Sequence, residues 1–399
     1  MSPRPPTDQD VVIASAARTP IGCFQGAFAS LSASDLGAIA VREAVKRAGA
    51  QPEQVERVIM GNVLSGGMGQ APARQCVIKA GLPVAVGAIT VNKVCGSGLQ
   101  AVMFARREIL LGDAEVIVAG GMESMTNAPY VLPKARGGYR MGNGEIVDTM
   151  IHDGLWDPYD DVHMGTCGDL VAEKYHFTRQ DQDAFAAESY RRALAAQKEG
   201  KFKEEIVPVE GPQRRGEPLL VDQDEEPGRG DVAKMGGLKP AFSKTGTVTA
   251  ANASSINDGA AALLICSAAA AARHGYPVLA RIVADAAAAV EPKWFTIAPV
   301  HALARLYEKT ATKSGDWDLY EINEAFSGVT MAAMKDHGIP HERVNVHGGA
   351  VSIGHPIGCS GARVLVTLLY ALRDRGLRRG IATLCIGGGE AVALGVERA

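Results

Sequence analysis

The sequence predicts an α/β protein made of two similar halves with an inserted segment, and three observations carry that reading. Short apolar strand-like runs alternate with amphipathic helical stretches from Val11 to Gly121 and again from Val278 onward. Both stretches share one order of elements. Glycine turns stand at equivalent places, with Gly96, Gly98 and Gly120-Gly121 in the first and Gly358, Gly361 and Gly387-Gly388-Gly389 in the second. A chain of 399 residues is also too long for one simple core.

Taken in order, Val11 to Ala16 reads as a buried strand. Ser32 and Asp35 make a box-like cap for a helix that carries Leu36, Ile39, Ala40 and Ala44 on one face and ends near Gly49. Val55 to Met60 is the next strand. The turn Ser65-Gly66-Gly67-Met68-Gly69 lacks the spacing of a dinucleotide fingerprint and leads into a helix that includes Arg74. Ala88 to Val91 is a strand; past Cys95-Gly96-Ser97-Gly98, the residues Leu99, Val102, Met103, Arg106 and Leu110 fall at helical spacing. Val116 to Ala119 forms a strand closed by Gly120-Gly121.

Between about Thr126 and Ala251 the texture becomes more charged and irregular. One helix is clear there, started by Thr178 and Asp181, faced by Phe185, Ala186 and Leu194, and ended by Gly200. Most of the following lysines and arginines read as solvated surface, and a minority could form a phosphate-binding rim. The pattern then resumes with a strand at Val278, a helix at Leu303, a strand at Leu319 ending in Ile322-Asn323, a strand at Val344, a helix from Gly361 and a strand at Ile381. The expected division is a first domain of residues 1–125, completed by about 252–277, an inserted loop domain of 126–251, and a second domain of 278–399. Strand ends of the two halves are natural walls for one site between them.

A net charge of −3 argues against nucleic-acid or anionic-membrane partners. The seven cysteines are odd in number and show no Cys-x-x-Cys pair, which is usage typical of a reducing compartment. No apolar run reaches membrane-spanning length, and the stretch Met1 to Asp10 resembles neither a secretory signal nor a transit peptide. These features lead us to expect a cytoplasmic enzyme or binding protein.

Cys95 stands where a strand turns into a helix, so its sulfur could meet the unpaired N–H groups and positive end of the helix dipole, which favour a thiolate. That stretch alone leaves both a nucleophile and a small buried hydrophobe open. Three clusters in the second half occupy matching strand ends: Asn323-Glu324-Ala325-Phe326, Gly354-His355-Pro356-Ile357-Gly358 and Cys385-Ile386-Gly387-Gly388-Gly389. A histidine held between glycine and proline is poorly placed to fill a core, and it can accept a thiol proton. Metal binding by His347, His355 and Cys359 would match no zinc pattern, and no metal site is expected.

These clusters, together with Gly120-Gly121-Met122-Glu123-Ser124-Met125, Asn252-Ala253-Ser254, Asn257-Asp258-Gly259-Ala260-Ala261 and Asn345-Val346-His347-Gly348-Gly349-Ala350, resemble the thiolase family almost end to end. Within it the chain looks most like the acetyl-CoA acetyltransferases. The resemblance implies duplicated αβα domains in a five-layer αβαβα core. It implies that Cys95 attacks a thioester and carries the acyl group, with His355 as its base. Cys385 would move the α-proton of acetyl-CoA. An enolate would be held by His355 and a water on Asn323, and the tetrahedral oxyanion by the backbone N–H groups of Cys95 and Gly387. Two half-reactions that share an acyl-enzyme imply ping-pong kinetics.

For coenzyme A the likeness points to Arg229 at the nucleotide, Ser254 near the pantetheine, and His163 with Met164 near the acyl end. The partners implied are acetyl-CoA, acetoacetyl-CoA and CoA, with no separate cofactor, in a homotetramer. Trp294-Phe295-Thr296-Ile297-Ala298-Pro299 resembles the potassium-activated members that take 2-methyl-branched substrates. Pro227, however, stands where that subgroup has a tyrosine, which speaks against potassium activation. Glu390 follows the triple glycine where many relatives carry a small or neutral residue, and a carboxylate there could shift pKa values or reach solvent. The alternatives are a thiolase for longer or 2-methyl-branched 3-ketoacyl chains and a non-catalytic acyl-CoA binder; the intact Cys95, His355, Asn323 and Cys385 argue against the second.

Overall fold

The two halves join edge to edge in one ten-stranded sheet. In a computed structural model, which describes residues 10–211 and 219–399, the main strands are β1 (Val11–Arg18), β2 (Arg57–Gly61), β3 (Gly87–Val91), β4 (Val116–Ser124), β5 (Asn257–Ser267), β6 (Ala280–Ala289), β7 (Leu319–Ile322), β8 (Arg379–Ile386) and β9 (Glu390–Arg398). The principal helices are α1 (Ala33–Ala48), α2 (Pro72–Ala80), α3 (Ser97–Leu111), α4 (Met164–Tyr175), α5 (Arg179–Lys198), α6 (Ala298–Thr310), α7 (Ser327–His337) and α8 (Ile357–Asp374). Strand order is β7-β8-β9-β6-β1-β5-β4-β2-β3, with the short strand Gly22–Cys23 paired to β5.

Read outward from the β1/β6 junction, each half repeats one plan. A long antiparallel strand comes first, β5 or β9; then a strand that leads into the site, β4 or β8; then a parallel strand, β2 or β7. The junction itself is short, Val12 opposite Arg281 and Ile13 opposite Ala280. Helices α3 and α8 contact each other and strands of both halves, which makes them the middle layer. Helices α1 and α2 cover the outer face of the first half and α6 that of the second, completing the layers of the αβαβα core.

Local chemistry accounts for these elements. Ser32 and Asp35 close a capping box on α1, and Gly49 ends it in a left-handed conformation. Thr178 and Asp181 do the same at the start of α5. Residues Ile357 to Leu372 of α8 are buried all round, as a helix lying between two sheet halves must be. Contact between α3 and α8 is backbone to backbone. A Cβ on Gly361 would lie 2.3 Å from the Leu99 nitrogen, and one on Gly121 would lie 2.1 Å from the Gly358 carbonyl oxygen.

Several expectations change. Gly120-Gly121 do not close a strand: β4 runs through them to Ser124, and their missing side chains admit the backbones of β5 and the α8 entry instead. Val344 makes only an isolated bridge to Tyr320, because the turn His341–Arg343 before it and the left-handed Asn345 after it leave no extended length to pair. Leu110 and Leu194 face outward on helices whose other apolar residues meet the core. The inserted segment holds a second long helix, α4, that its sequence texture did not suggest. Among the described residues no helix is long and apolar enough to cross a membrane.

Candidate active site

Cys95 is placed by a strained turn. Val94, a β-branched residue, is held at φ 43°, a conformation that costs about 1–3 kcal/mol and persists only where the surroundings enforce it. Ser97 supplies that enforcement, since its Oγ accepts from the Lys93 N–H at 2.8 Å and donates to the Val94 carbonyl at 2.6 Å. The turn leaves Cys95 directly before Gly96, the N-cap of α3, and only 9% exposed.

The second half meets it there. The backbone N–H groups of Gly387 and of Cys95 itself lie near enough to the Cys95 sulfur to favour its ionised form. Two backbone N–H groups, one from each half, therefore border the Cys95 sulfur. Cys385, at the end of β8 and fully buried, lies close enough for a charge on Cys95 to act on it. Met164, the first residue of α4, packs in one apolar cluster with Cys385, Ala325 and Phe326, and its Cε lies 3.1 Å from where a Gly387 Cβ would stand.

His355 is buried and held on three sides. Its backbone N–H donates to Asn257 Oδ1 at 2.8 Å, its Nδ1 meets Ser360 Oγ at 2.5 Å, and its Nε2 lies 3.5 Å from Asn323 Nδ2. The Ser360 hydroxyl donates its one proton to the Pro356 carbonyl at 2.9 Å, so it must accept from His355. Nδ1 therefore carries the hydrogen, and the Nε2 lone pair is left as a base. Asn323 is fully buried, and its Oδ1 has no hydrogen-bond partner among the described residues, an arrangement suited to holding a water or substrate oxygen.

Electrostatics correct one expectation. Burial pushes the Cys95 thiol up to about 11, outweighing the two N–H donors, and the charge of Glu123 adds to the rise. Helix-terminus stabilisation does not yield a standing thiolate. His355 is pushed down to about 3 by burial and then by Arg363, so the resting pair is neutral thiol and neutral imidazole. Cys385 is raised well above the usual thiol range by burial, with Cys95 adding to it.

The residues expected at coenzyme A divide. His163 caps α4, its Nδ1 accepting from the Gly165 N–H at 3.1 Å, and stacks on Phe242 at 4.6 Å between ring centroids. Ser254 donates its N–H to the Ala325 carbonyl, next to the Ala253–Phe326 bridge, and so borders the same cluster as Met164. Arg229 is exposed on the turn Pro227–Arg229, where its charge is felt at Cys23 rather than at the cysteine pair.

Sequence reasoning missed the supporting residues. Glu123 accepts from the N–H groups of Val63, Leu64 and Gly358 and from Asn62 Nδ2, which ties the first half to the His355 loop. Its burial pushes it up to about 7. Glu390, which the sequence did single out, is half-exposed, and its ion pair with Lys93, two residues before Cys95, was not foreseen. Asn257 stands in one of the family-like motifs and Ser360 two residues past the Gly354–Gly358 loop, but nothing in their spacing assigned them to His355.

Two family models divide the chain: "Thiolase, N-terminal domain" matches residues 11–269 and "Thiolase, C-terminal domain" matches residues 276–398. The chain belongs to the thiolase family. The first match contains Cys95, His163, Met164, Arg229 and Ser254, and the second contains Asn323, His355, Cys385 and Gly387. Among other thiolases, it is 54% identical over 390 residues to an acetyl-CoA acetyltransferase of Cupriavidus necator, covering 98% of this chain and 99% of that one. An acetyl-CoA acetyltransferase of Pseudomonas aeruginosa is also 54% identical, with 98% and 100% covered. The fold matches the crystal structure of the Acat5 thiolase from Ascaris suum in complex with coenzyme A, at TM-score 0.93 and 42% identity, over 98% of this chain and all of that one.

Proposed function

We propose that the chain transfers acetyl groups between coenzyme A thioesters, joining two acetyl-CoA into acetoacetyl-CoA and CoA and catalysing the reverse thiolysis. The observation that carries this reading is a pair of buried free thiols, Cys95 at the entry to α3 and Cys385 at the end of β8, with the Gly387 backbone beside the first.

His355 Nε2 takes the Cys95 proton as the sulfur attacks the acetyl-CoA carbonyl. The oxyanion is held by the N–H groups of Cys95 and Gly387, each such donor typically contributing about 10²–10³ in rate. The CoA sulfur leaves with the Cys385 proton, which leaves a Cys385 thiolate beside an acylated Cys95. With Cys95 acylated, no thiolate can form there to oppose ionisation of Cys385. That thiolate takes the α-proton of the second acetyl-CoA, and the protonated His355, with a water on Asn323, holds the enolate oxygen. Attack of the enolate on the acetyl-cysteine releases acetoacetyl-CoA, and Cys95 recovers its proton from His355.

His163 and Met164 would border the acyl end, Ser254 the pantetheine and Arg229 the nucleotide, with residues 126–251 as the loop domain that seats CoA. The hairpin of Tyr130–Val131 and Val147–Asp148 leaves Tyr130, Val131, Leu132, Met141 and Ile146 exposed, apolar surface that supports assembly as a homotetramer. Seven free cysteines support a reducing compartment, the cytoplasm.

Incubation with acetyl-CoA followed by mass spectrometry should find an acetyl group on Cys95, and Cys95→Ala should abolish both the adduct and acetoacetyl-CoA formation. Turnover near the parent rate in Cys95→Ala would refute the assignment. Thiolysis of 3-ketoacyl-CoA substrates of increasing length and with a 2-methyl branch should be fastest for acetoacetyl-CoA.

A further inference from the structure

The turn that carries Gly387 is poorly anchored from within. Three consecutive glycines have no side chains to pin it, and Gly388 and Gly389 are both left-handed, at φ 87° and 89°. It is held from outside: the Gly389 carbonyl accepts from the Val290 N–H at 2.7 Å, and the residues at its base, Ile386 and Glu390, face each other across the β8/β9 pairing. Both reach the Cys95 turn. Ile386 packs on Gly96 so closely that a Cβ there would lie 2.3 Å from the Ile386 Cδ1, and Glu390 forms its ion pair with Lys93. One apolar and one ionic contact thus link the two turns, on opposite strands of the hairpin base. Lys93 is itself built into the nucleophile turn, since its N–H is bonded to Ser97 and its carbonyl accepts from the Gly96 N–H.

We propose that Lys93 and Glu390 clasp the Cys95 turn to the Gly387 turn and so hold the two oxyanion donors at a fixed separation. Both are positioning residues, because neither need touch the reacting atoms. The inference rests on the acyl-transfer reading of the site. Both side chains are partly exposed, at 27% and 39%, so the pair by itself is a modest, salt-screened contact. Its leverage is geometric: a small change in donor separation weakens an oxyanion more than it weakens a bound thioester, so kcat should fall while KM holds.

The test compares Glu390→Gln, Lys93→Met and the charge-swapped pair Lys93→Glu with Glu390→Lys, in thiolysis of acetoacetyl-CoA, with Lys93→Arg as the conservative control. Each single variant should lower kcat by about three- to tenfold with KM within about twofold. The swap should recover most of the loss, and Lys93→Arg should match the parent. Parent kcat in Glu390→Gln, a loss confined to KM, or a swap no better than the singles would each overturn the clasp while leaving the acyl-transfer reading intact. An inactive parent would overturn both. Should the swap unfold on melting, recovery is read instead from Glu390→Asp, which keeps the charge and should exceed Glu390→Gln; equality of the two would overturn the proposal.

Discussion

Replacing Ser360 by alanine removes the group that decides which nitrogen of His355 carries its proton. In the folded chain Ser360 Oγ lies 2.5 Å from Nδ1, with its own hydrogen committed to the Pro356 carbonyl at 2.9 Å. Alanine leaves a buried Nδ1–H without an acceptor, a penalty of about 1–3 kcal/mol. The other neutral tautomer escapes that penalty by moving the hydrogen to Nε2, where it blocks the base. At about 1.4 kcal/mol per factor of ten, the productive tautomer falls roughly 5- to 140-fold. The rate of Cys95 acetylation should fall with it, while KM for acetyl-CoA stays put. Single-turnover acetylation followed by rapid quench measures the rate, and nitrogen NMR of labelled histidine reads the tautomer directly. Ser360→Thr, which retains the hydroxyl, should stay near the parent. Acetylation at the parent rate in Ser360→Ala, with Nδ1 still protonated, would refute the reasoning.

Cys385→Ser should still accept an acetyl group on Cys95 but turn over at least about tenfold more slowly, because an alcohol is a far weaker acid than a thiol; unchanged turnover would remove Cys385 from proton transfer. Glu321 is fully buried beside Arg363 at 3.7 Å, neither of its carboxyl oxygens has a hydrogen-bond partner among the described residues, and burial pushes it up to about 8. A carboxyl raised above its unfolded value of about 4.5 contributes stability that is full below that value and is lost as pH rises through about 8. The melting-temperature gain of Glu321→Gln over the parent should therefore grow from pH 5 to about 8 and level off above it; a gain independent of pH would refute the shift. Exchanging potassium for sodium should leave thiolysis unchanged, in keeping with the buried Pro227 in the turn before Arg229; activation by potassium would overturn that reading. Light scattering should return the mass of a tetramer, and a stable dimer would remove the hairpin's assigned role.

Much of the fold was legible because its signals are local. The capping boxes at Ser32 and Thr178 and the left-handed Gly49 act within one turn of chain, so residue type and spacing announce them. Repetition of the strand and glycine order revealed the duplication for the same reason. Strand ends were harder. Gly120-Gly121 looked like a stop, yet the strand continues there because another backbone needs the space, a reason that lies 237 residues away at Gly358. Helix α4 was hidden because its cap, His163, is not among the usual capping residues.

The sequence by itself determined the residue types that can do the chemistry: two cysteines, a histidine and an asparagine at strand ends in matched halves. It also determined the turns that present them, since glycine and proline restrict the backbone wherever they fall. Only the tertiary structure decided how those groups behave. Desolvation depends on what is packed around a side chain, so the same cysteine that a helix terminus would favour as a thiolate is held as a neutral thiol at Cys95. The tautomer of His355 and the pairing of Glu390 with Lys93 depend likewise on partners that folding, rather than sequence neighbourhood, brings within reach.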